Sequence, residues 1–414
     1  MLGKWKEYRY TDLATIIGGG TPKTSVPDYW NGEIPWLSVK DFVPVTKYVY
    51  DTEKHISELG LLNSSTKLLE KNDIVISARG TIGAMAMIPY PMCFNQSCFG
   101  LRGNNVVDKN FLYYLTRTKV NELRKSAHGS VFDTITKETF DNLRCLVPPL
   151  QTQQKIGNTL SSLDSKIELN KRINDNLEQQ AQALFKSWFV DFEPFLSKEF
   201  SKSDSLFGDI PVGWSIVSIK DLPIYITDYV ANGSFASLKE NVRLYDKPNY
   251  AHFIRNTDLK AESYKIYVDK HSYEFLSKSV LEGGEIIISN VGDVGSVFLC
   301  PKLQKPMTLG NNIILLRPKN KYSMFYLYML FKGNVGQHLI DGITGGSAQR
   351  KFNKTDFKSI KIMMPPVDIL IKFDRIIKPI FSKIEKNSEE ISRLELVRDT
   401  LLPKLMSGEV EINK

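Results

Sequence analysis

The sequence predicts an α+β fold made twice: two mixed domains in tandem, separated by two long helices that form an antiparallel coiled coil. Two observations predict it. The chain repeats itself at a nearly constant offset, and each repeat ends in an apolar seam with heptad spacing.

The repeat opens with WKEYRYTDL, Trp5 to Leu13, which returns as WSIVSIKDL, Trp214 to Leu222, at an offset of 209. NDIVISARGTIG, Asn72 to Gly83, returns as GEIIISNVGDVG, Gly284 to Gly295, at 212. From Gly129 onward the offset settles at 217: Gly129-Ser130 matches Gly346-Ser347, Pro148-Pro149 matches Pro365-Pro366, and Leu184 matches Leu401. Within each mixed segment, DIVIS and EIIIS are short β-branched runs closed by glycines, the pattern of strands entering tight turns. FLYYLTRTKVNELRKSA and MFYLYMLFKGNVGQHLI carry the spacing of amphipathic helices facing a core.

The helical segments give the sharper signal. Ile156, Leu160, Leu163, Ile167, Asn170, Asn174, Leu177, Ala181, Leu184 and Trp188 alternate at four and three. Adding 217 gives Phe373, Ile377, Ile380, Ile384, Asn387, Ile391, Leu394, Arg398, Leu401 and Leu405, in the same phase. Each helix starts after a Pro-Pro pair, and a span of roughly 38 residues would be about 57 Å long. Such a narrow stripe needs a covering helix, and the other copy supplies it; the alternative is that each helix rests on its own domain. An antiparallel pair brings equivalent residues together only at its middle, so Asn170 is expected to face Asn387. Pro379 is expected to kink the second helix. The boundaries that follow are 1–150 for the first mixed domain, 151–193 for the central helix, 194–366 for the second domain and 367–414 for the C-terminal helix.

Composition narrows the function. The 42% apolar and 24% charged content is that of a globular chain, and no run of 18 or more apolar residues exists to span a membrane. The longest, Tyr322 to Phe331, reads as a buried helix. With no signal-peptide pattern at the start, a cytoplasmic location is expected. Cys93, Cys98, Cys145 and Cys300 form no CxxC pair and read as buried thiols. The net charge of +8 is unevenly placed: the mixed segments carry +3 and +6, the helical ones −1 and 0. That is the distribution expected if the mixed domains face phosphates.

Motifs for chemistry are missing from the sequence. GGGTPKTS, from Gly18, has Pro22 before Lys23 where a phosphate loop needs glycine. The Pro-Pro pairs follow Val147 and Met364, without the Asn or Asp that an amino-methyltransferase pocket requires. The five histidines, His55, His128, His252, His271 and His338, lack metal-ligand spacing. No catalytic residue and no metal ligand are therefore expected.

Against this background the family resemblance is plain. VPPLQTQQKIGNTLSSLDSKIELNKRINDNLEQQAQALFKSWFVDFEPF, Val147 to Phe195, and MPPVDILIKFDRIIKPIFSKIEKNSEEISRLELVRDTLLPKLMSGEV, Met364 to Val410, resemble the two conserved regions of type I restriction-modification specificity subunits. GGGTPKTSVPDYW, IPWLSVKD and ISARGTIG resemble a target recognition domain, whereas VANGSFASLKENVRLY departs from that opening in the second copy. The resemblance implies two target recognition domains, each reading one half of a bipartite site on double-stranded DNA. It also implies helices that dock two modification subunits, which bind S-adenosylmethionine and methylate adenine, and a complex with restriction subunits that use ATP and Mg. None of those cofactors is expected on this chain. Two other classes compete: a coiled-coil scaffold without DNA readout, and a nuclease hidden in the α+β domains. Against the nuclease, Asp73 aligns with Glu285 but Arg79 with Val291 and Thr81 with Asp293, so no shared charged cluster is expected.

Base reading calls for cations, amides and hydroxyls on loops. The candidates are Thr21, Lys23, Thr24, Lys40, Arg79, Ser130 and Lys137 in the first domain, and Arg255, Asn290, Ser347, Gln349, Arg350 and Lys354 in the second.

Overall fold

The computed structural model describes residues 5–42, 46–127, 134–202, 206–346 and 349–412. Two compact units emerge, residues 1–174 with 385–414, and residues 175–384. Each holds one mixed domain and a stretch of both long helices.

In the first unit, IVIS (Ile74–Ser77) is buried along its whole length, which explains why its sequence is a continuous apolar run and does not alternate. It sits inside an antiparallel sheet ordered Ala14–Gly18, Cys98–Gly103, Ile74–Ser77, Met85–Met87. A second sheet joins His55–Ile56, Trp30–Leu37 and Cys93–Phe94, the last two parallel. Lys6–Arg9 pairs with Arg144–Val147 and ties the start of the domain to its end. The helix Lys109–Ala127 lays Phe111, Leu112, Leu115 and Leu123 into the core.

The second unit repeats this plan. Ile286–Ser289 is fully buried in a sheet ordered Ile224–Asp228, Ile313–Pro318, Ile286–Ser289, Val297–Leu299. Ser215–Ser218 pairs with Lys361–Met364 as the closing ribbon. The counterpart of the smaller sheet has five strands and keeps one parallel pair, Ala251–Ile254 with Met307–Leu309. The expected buried helix is there: Met324–Lys332 buries Tyr326 through Phe331. All four cysteines are buried free thiols, pushed up in pKa by that burial.

The central helix, Leu150–Phe189, and the C-terminal helix, Val367–Met406, have 40 residues each, about 60 Å at 1.5 Å per residue. Each starts right after its Pro-Pro pair, where the Pro149 and Pro366 carbonyls accept the first amide hydrogen bonds. All twenty seam positions are buried or half-buried. In the first unit Ile156 and Leu160 share a core with Leu402, Leu405 and Met406, and in the second Phe185, Trp188 and Phe189 close around Phe373. Each domain is thus packed by both helices, and the alternative of a helix on its own domain does not hold. The second helix runs through Pro379, an exposed position, without ending there.

The expected Asn170–Asn387 pairing is not formed. Both side chains are buried, at 2% and 1% exposure, but Asn387 donates to Asn174 Oδ1 at 2.8 Å and Asn170 donates to Glu390 at 2.9 Å. The register is set elsewhere, by an ion pair sealed between the helices: Arg398 Nη1 to Asp164 Oδ1, 2.7 Å, with exposures of 2% and 6%. From that pin, ten residues forward along one helix and eleven back along its antiparallel partner bring Asn174, not Asn170, to Asn387.

Candidate nucleic-acid interface

In the first domain the loops that carry the candidate residues converge through backbone hydrogen bonds. Ala78 N donates to Ser97 O at 2.8 Å, Ile135 N to Ala78 O at 3.1 Å, and Asn95 N to Leu37 O at 2.9 Å. Thr21 reaches the same cluster by a hydroxyl bond to Gln96. These links gather Thr21, Lys23 and Thr24 on one loop, Lys40 on the turn after Trp30–Leu37, Arg79 on the turn after Ile74–Ser77, and Lys137 at the start of the helix Lys137–Asn142. Of the three glycines from Gly18, Gly19 and Gly20 serve packing. A Cβ on Gly19 would lie 2.0 Å from Asn95 O, and one on Gly20 2.3 Å from Thr66 N. The Gly20 carbonyl accepts from Trp36 Nε1 at 3.0 Å.

The second domain builds the same face with the same bonds. Asn290 N donates to Asn312 O and Phe352 N to Asn290 O, both at 3.1 Å, the counterparts of the Ala78 bonds. Gly292 N donates to Arg350 O at 3.0 Å, and Val291 bridges Lys351, so Asn290, Gln349, Arg350 and Lys354 lie around one turn. Arg255 joins through its neighbour Asn256, whose amide donates to Asp293 on that turn at 3.2 Å. Ser130 and Ser347 fall outside the described residues.

Their electrostatics differ. Lys23, Lys40, Arg79 and Lys137 are exposed and form no ion pair among the described residues. In the second domain Arg255 forks onto Asp258 at 2.7 and 2.9 Å, Arg350 meets Asp341 at 2.5 Å, and Lys354 meets Asp228 at 2.9 Å. Asp293 accepts from Lys260, Ser296 and Asn256, which hold its carboxyl at about 2. The candidates therefore divide into free cations in one copy and tethered ones in the other. Sequence reasoning missed Gln96, whose only signal was its place in a loop beside the strand Cys98–Gly103, and the exposed Lys351, next to Arg350.

The expectation that no charged cluster is shared between the copies is wrong. Asp73, 2% exposed, binds Arg102 at 2.7 Å, with Glu70 on the same guanidinium. Glu285, 4% exposed at its side chain, binds Arg317 at 2.6 Å, with Glu282 beside it. In both copies the buried carboxylate also accepts the backbone amide three residues before it, Glu70 N and Glu282 N, so the cluster clamps the turn that enters the central strand. Among the described residues no group of three His, Cys, Asp or Glu is arranged to hold a metal.

One α+β domain present twice, each copy ending in a loop face of cations and amides, defines a tandem two-domain protein with a repeated polar loop face. The chain belongs to the type I restriction modification DNA specificity domain family, whose model matches residues 3–179 and again 211–396. It is 27% identical to the type I restriction enzyme MjaIX specificity subunit of Methanocaldococcus jannaschii, covering 99% of this chain and 94% of that one. The HindI specificity subunit of Haemophilus influenzae is also 27% identical, over 99% of this chain and all of its own. Among solved structures, the S subunit of a type I restriction-modification system from M. genitalium has a similar fold, with a TM-score of 0.57 at 17% identity over 97% of this chain and 96% of that one.

Proposed function

We propose that this chain is the sequence-reading subunit of a type I restriction-modification complex, each domain reading one half of a bipartite site on double-stranded DNA. The observation that carries this reading is the loop face built twice by matching backbone bonds, on a chain that matches the DNA specificity domain twice. In the first domain Thr21, Lys23, Thr24, Lys40, Arg79 and Lys137 supply the contacts. In the second Arg255, Asn290, Gln349, Arg350 and Lys354 do so, the cations after exchanging their carboxylates for phosphate or base.

The long helices dock two modification subunits, and restriction subunits complete the assembly in the cytoplasm. Catalysis belongs to those partners: S-adenosylmethionine serves methylation, and ATP with Mg serves restriction. This chain supplies the address. Among the described residues no helix is long and apolar enough to cross a membrane.

Selection of bound duplexes from a random library by the full chain, assembled with its modification subunits, tests the reading. Two short motifs at a fixed spacing are expected. A complex that retains duplexes without sequence preference, or shows no salt-dependent binding at all, overturns it and leaves a coiled-coil scaffold.

A further inference from the structure

The turn Ala78–Gly83 holds its backbone harder than its surface position requires. Ser77 N donates to Ala84 O at 2.8 Å, Gly83 N to Ser77 O at 3.0 Å, and Ala84 N to Ser77 Oγ at 2.9 Å. Ala78 is fixed on both sides, to Ser97 and to Ile135, and Arg124 Nε donates to Ile82 O at 2.8 Å. Gly80 takes the left-handed conformation, φ +74°, that closes the turn. Arg79 projects from this frame exposed and, among the described residues, without a partner. The other described arginines of the domain are all engaged: Arg9, Arg102 and Arg117 with carboxylates, Arg124 and Arg144 with backbone carbonyls.

The second copy keeps the frame and changes its occupant. Gly295 N donates to Ser289 O, and Gln337 Nε2 takes the place of Arg124 by donating to Gly295 O at 2.8 Å. Where Arg79 stands, the second turn has Val291, half-buried and bridged to Lys351. Among the described residues, this turn thus carries an unpaired guanidinium in the first copy and none in the second.

Resting on the reading above, we propose that Arg79 determines specificity in the first half-site by reading a guanine. A planar fork of donors matches the O6 and N7 acceptors that guanine presents in the major groove, and only this base offers two acceptors there. Holding the backbone in advance lowers the ordering cost that otherwise weakens a long side chain's discrimination. The second domain, with Val291 at the equivalent place, reads its half-site without this contact, so the two halves of the target differ at that position.

Arg79→Lys separates base reading from phosphate binding, because lysine keeps the charge and loses the fork. The selection is repeated with the full chain, assembled as before, carrying Arg79→Lys. The selected duplex is then titrated with single guanines replaced by 7-deazaguanine, which lacks the N7 acceptor. The wild type is expected to lose roughly ten- to a hundred-fold in affinity at one guanine of one half-site. Arg79→Lys is expected to be indifferent there, to lose preference at that base pair alone, and to keep the wild-type salt slope and melting curve. An Arg79→Lys complex that selects the unchanged motif overturns the inference and leaves bipartite recognition standing. Preference lost equally in both half-sites overturns it too, since the effect is then structural. A wild type that selects no motif sinks the underlying reading and the inference with it.

Discussion

The ion pair between Asp164 and Arg398 is the best place to test how the helices are joined, because the chain contains its own apolar alternative. Tyr114 donates to Asp164 Oδ2 at 2.5 Å, and Arg398 Nε reaches Asp399 at 2.9 Å, so each charge is nearly satisfied by named partners. Adding 217 to Asp164 gives Phe381, and subtracting it from Arg398 gives Ala181; both are buried in the second unit's core. Arg398→Ala strands a buried carboxylate whose remaining side-chain hydrogen bond is from the Tyr114 hydroxyl, which should destabilise the first unit by about 3–5 kcal/mol. Asp164→Phe with Arg398→Ala installs the solution the second unit already uses. It should recover most of the loss, to within about 1.5 kcal/mol of wild type, because apolar replacement of a buried pair is often neutral. Denaturant unfolding of the full chain checks this, read at the transition that moves, since a two-unit chain can melt in two steps. A single variant within about 1 kcal/mol of wild type, or a double variant no better than Arg398→Ala, refutes the assignment of this pair as the pin.

Lys47, 3% exposed and bonded to Asn110 and Ser161, has its ammonium pushed down to about 8 by burial, against the pull of Asp164, Asp108 and Glu168. The unfolded chain holds that proton to about 10.4, so this group adds stability as pH rises from 8 to 10, by up to roughly 1.4 kcal/mol per unit. The buried thiols act in the opposite sense: pushed up on folding, they contribute stability that is lost above their unfolded pKa of about 8.5. The measurement is therefore the difference between wild type and Lys47→Met, which should shift toward wild type as pH climbs; a constant difference refutes the lysine's role. Asn387→Leu removes the donor to Asn174 and should cost about 1 kcal/mol, whereas Asn170→Leu should leave the Asn174–Asn387 contact intact, as hydrogen exchange or a crystal structure would record. On DNA, Lys23→Ala or Lys40→Ala should each lower the slope of log K against log salt by about 1, and Arg350→Ala by less, because Asp341 already neutralises it; equal slopes refute the division into free and tethered cations.

How much of this was legible in the sequence depends on the range of the interaction. The seam was legible because a stripe repeating at four and three is a local pattern, and all twenty of its positions are covered. Register was not, because it rests on Asp164 and Arg398, 234 residues apart, and on an arginine at a seam position where the other copy has alanine. The charged clamp escaped a fixed-offset comparison for a simple reason. Glu70 and Asp73 map onto Glu282 and Glu285 at 212, but Arg102 maps onto Arg317 at 215, and the intervening insertion hides the third member. The candidate loops were legible as loops. Which of their cations are free was only partly so: Arg255 with Asp258 is a short-range pair, whereas Lys354 with Asp228 spans 126 residues.

The matching bonds of the two loop faces also explain how one fold can carry two different sets of loop side chains. Ala78 and Asn290 are chemically unlike, yet each donates its amide to the loop before the next strand and accepts from residue 135 or 352 through its carbonyl. Backbone bonds of this kind do not depend on the side chain that projects from them. Arg79 and Val291 can therefore diverge without unmaking the turn, and Thr21-Pro22-Lys23 can be replaced by a helix, Phe235–Asn241, capped by Ser234, without unmaking the sheet behind it. The clamps on the entry turns, Asp73 with Arg102 and Glu285 with Arg317, lie at the opposite end of the same strands, their carboxylates buried and away from the loops. The buried clamps and the candidate loop residues are thus different residues in each domain. A substitution at Arg79 should leave the melting curve unchanged while altering the bases selected, and a substitution at Arg102 should lower stability before it alters selectivity.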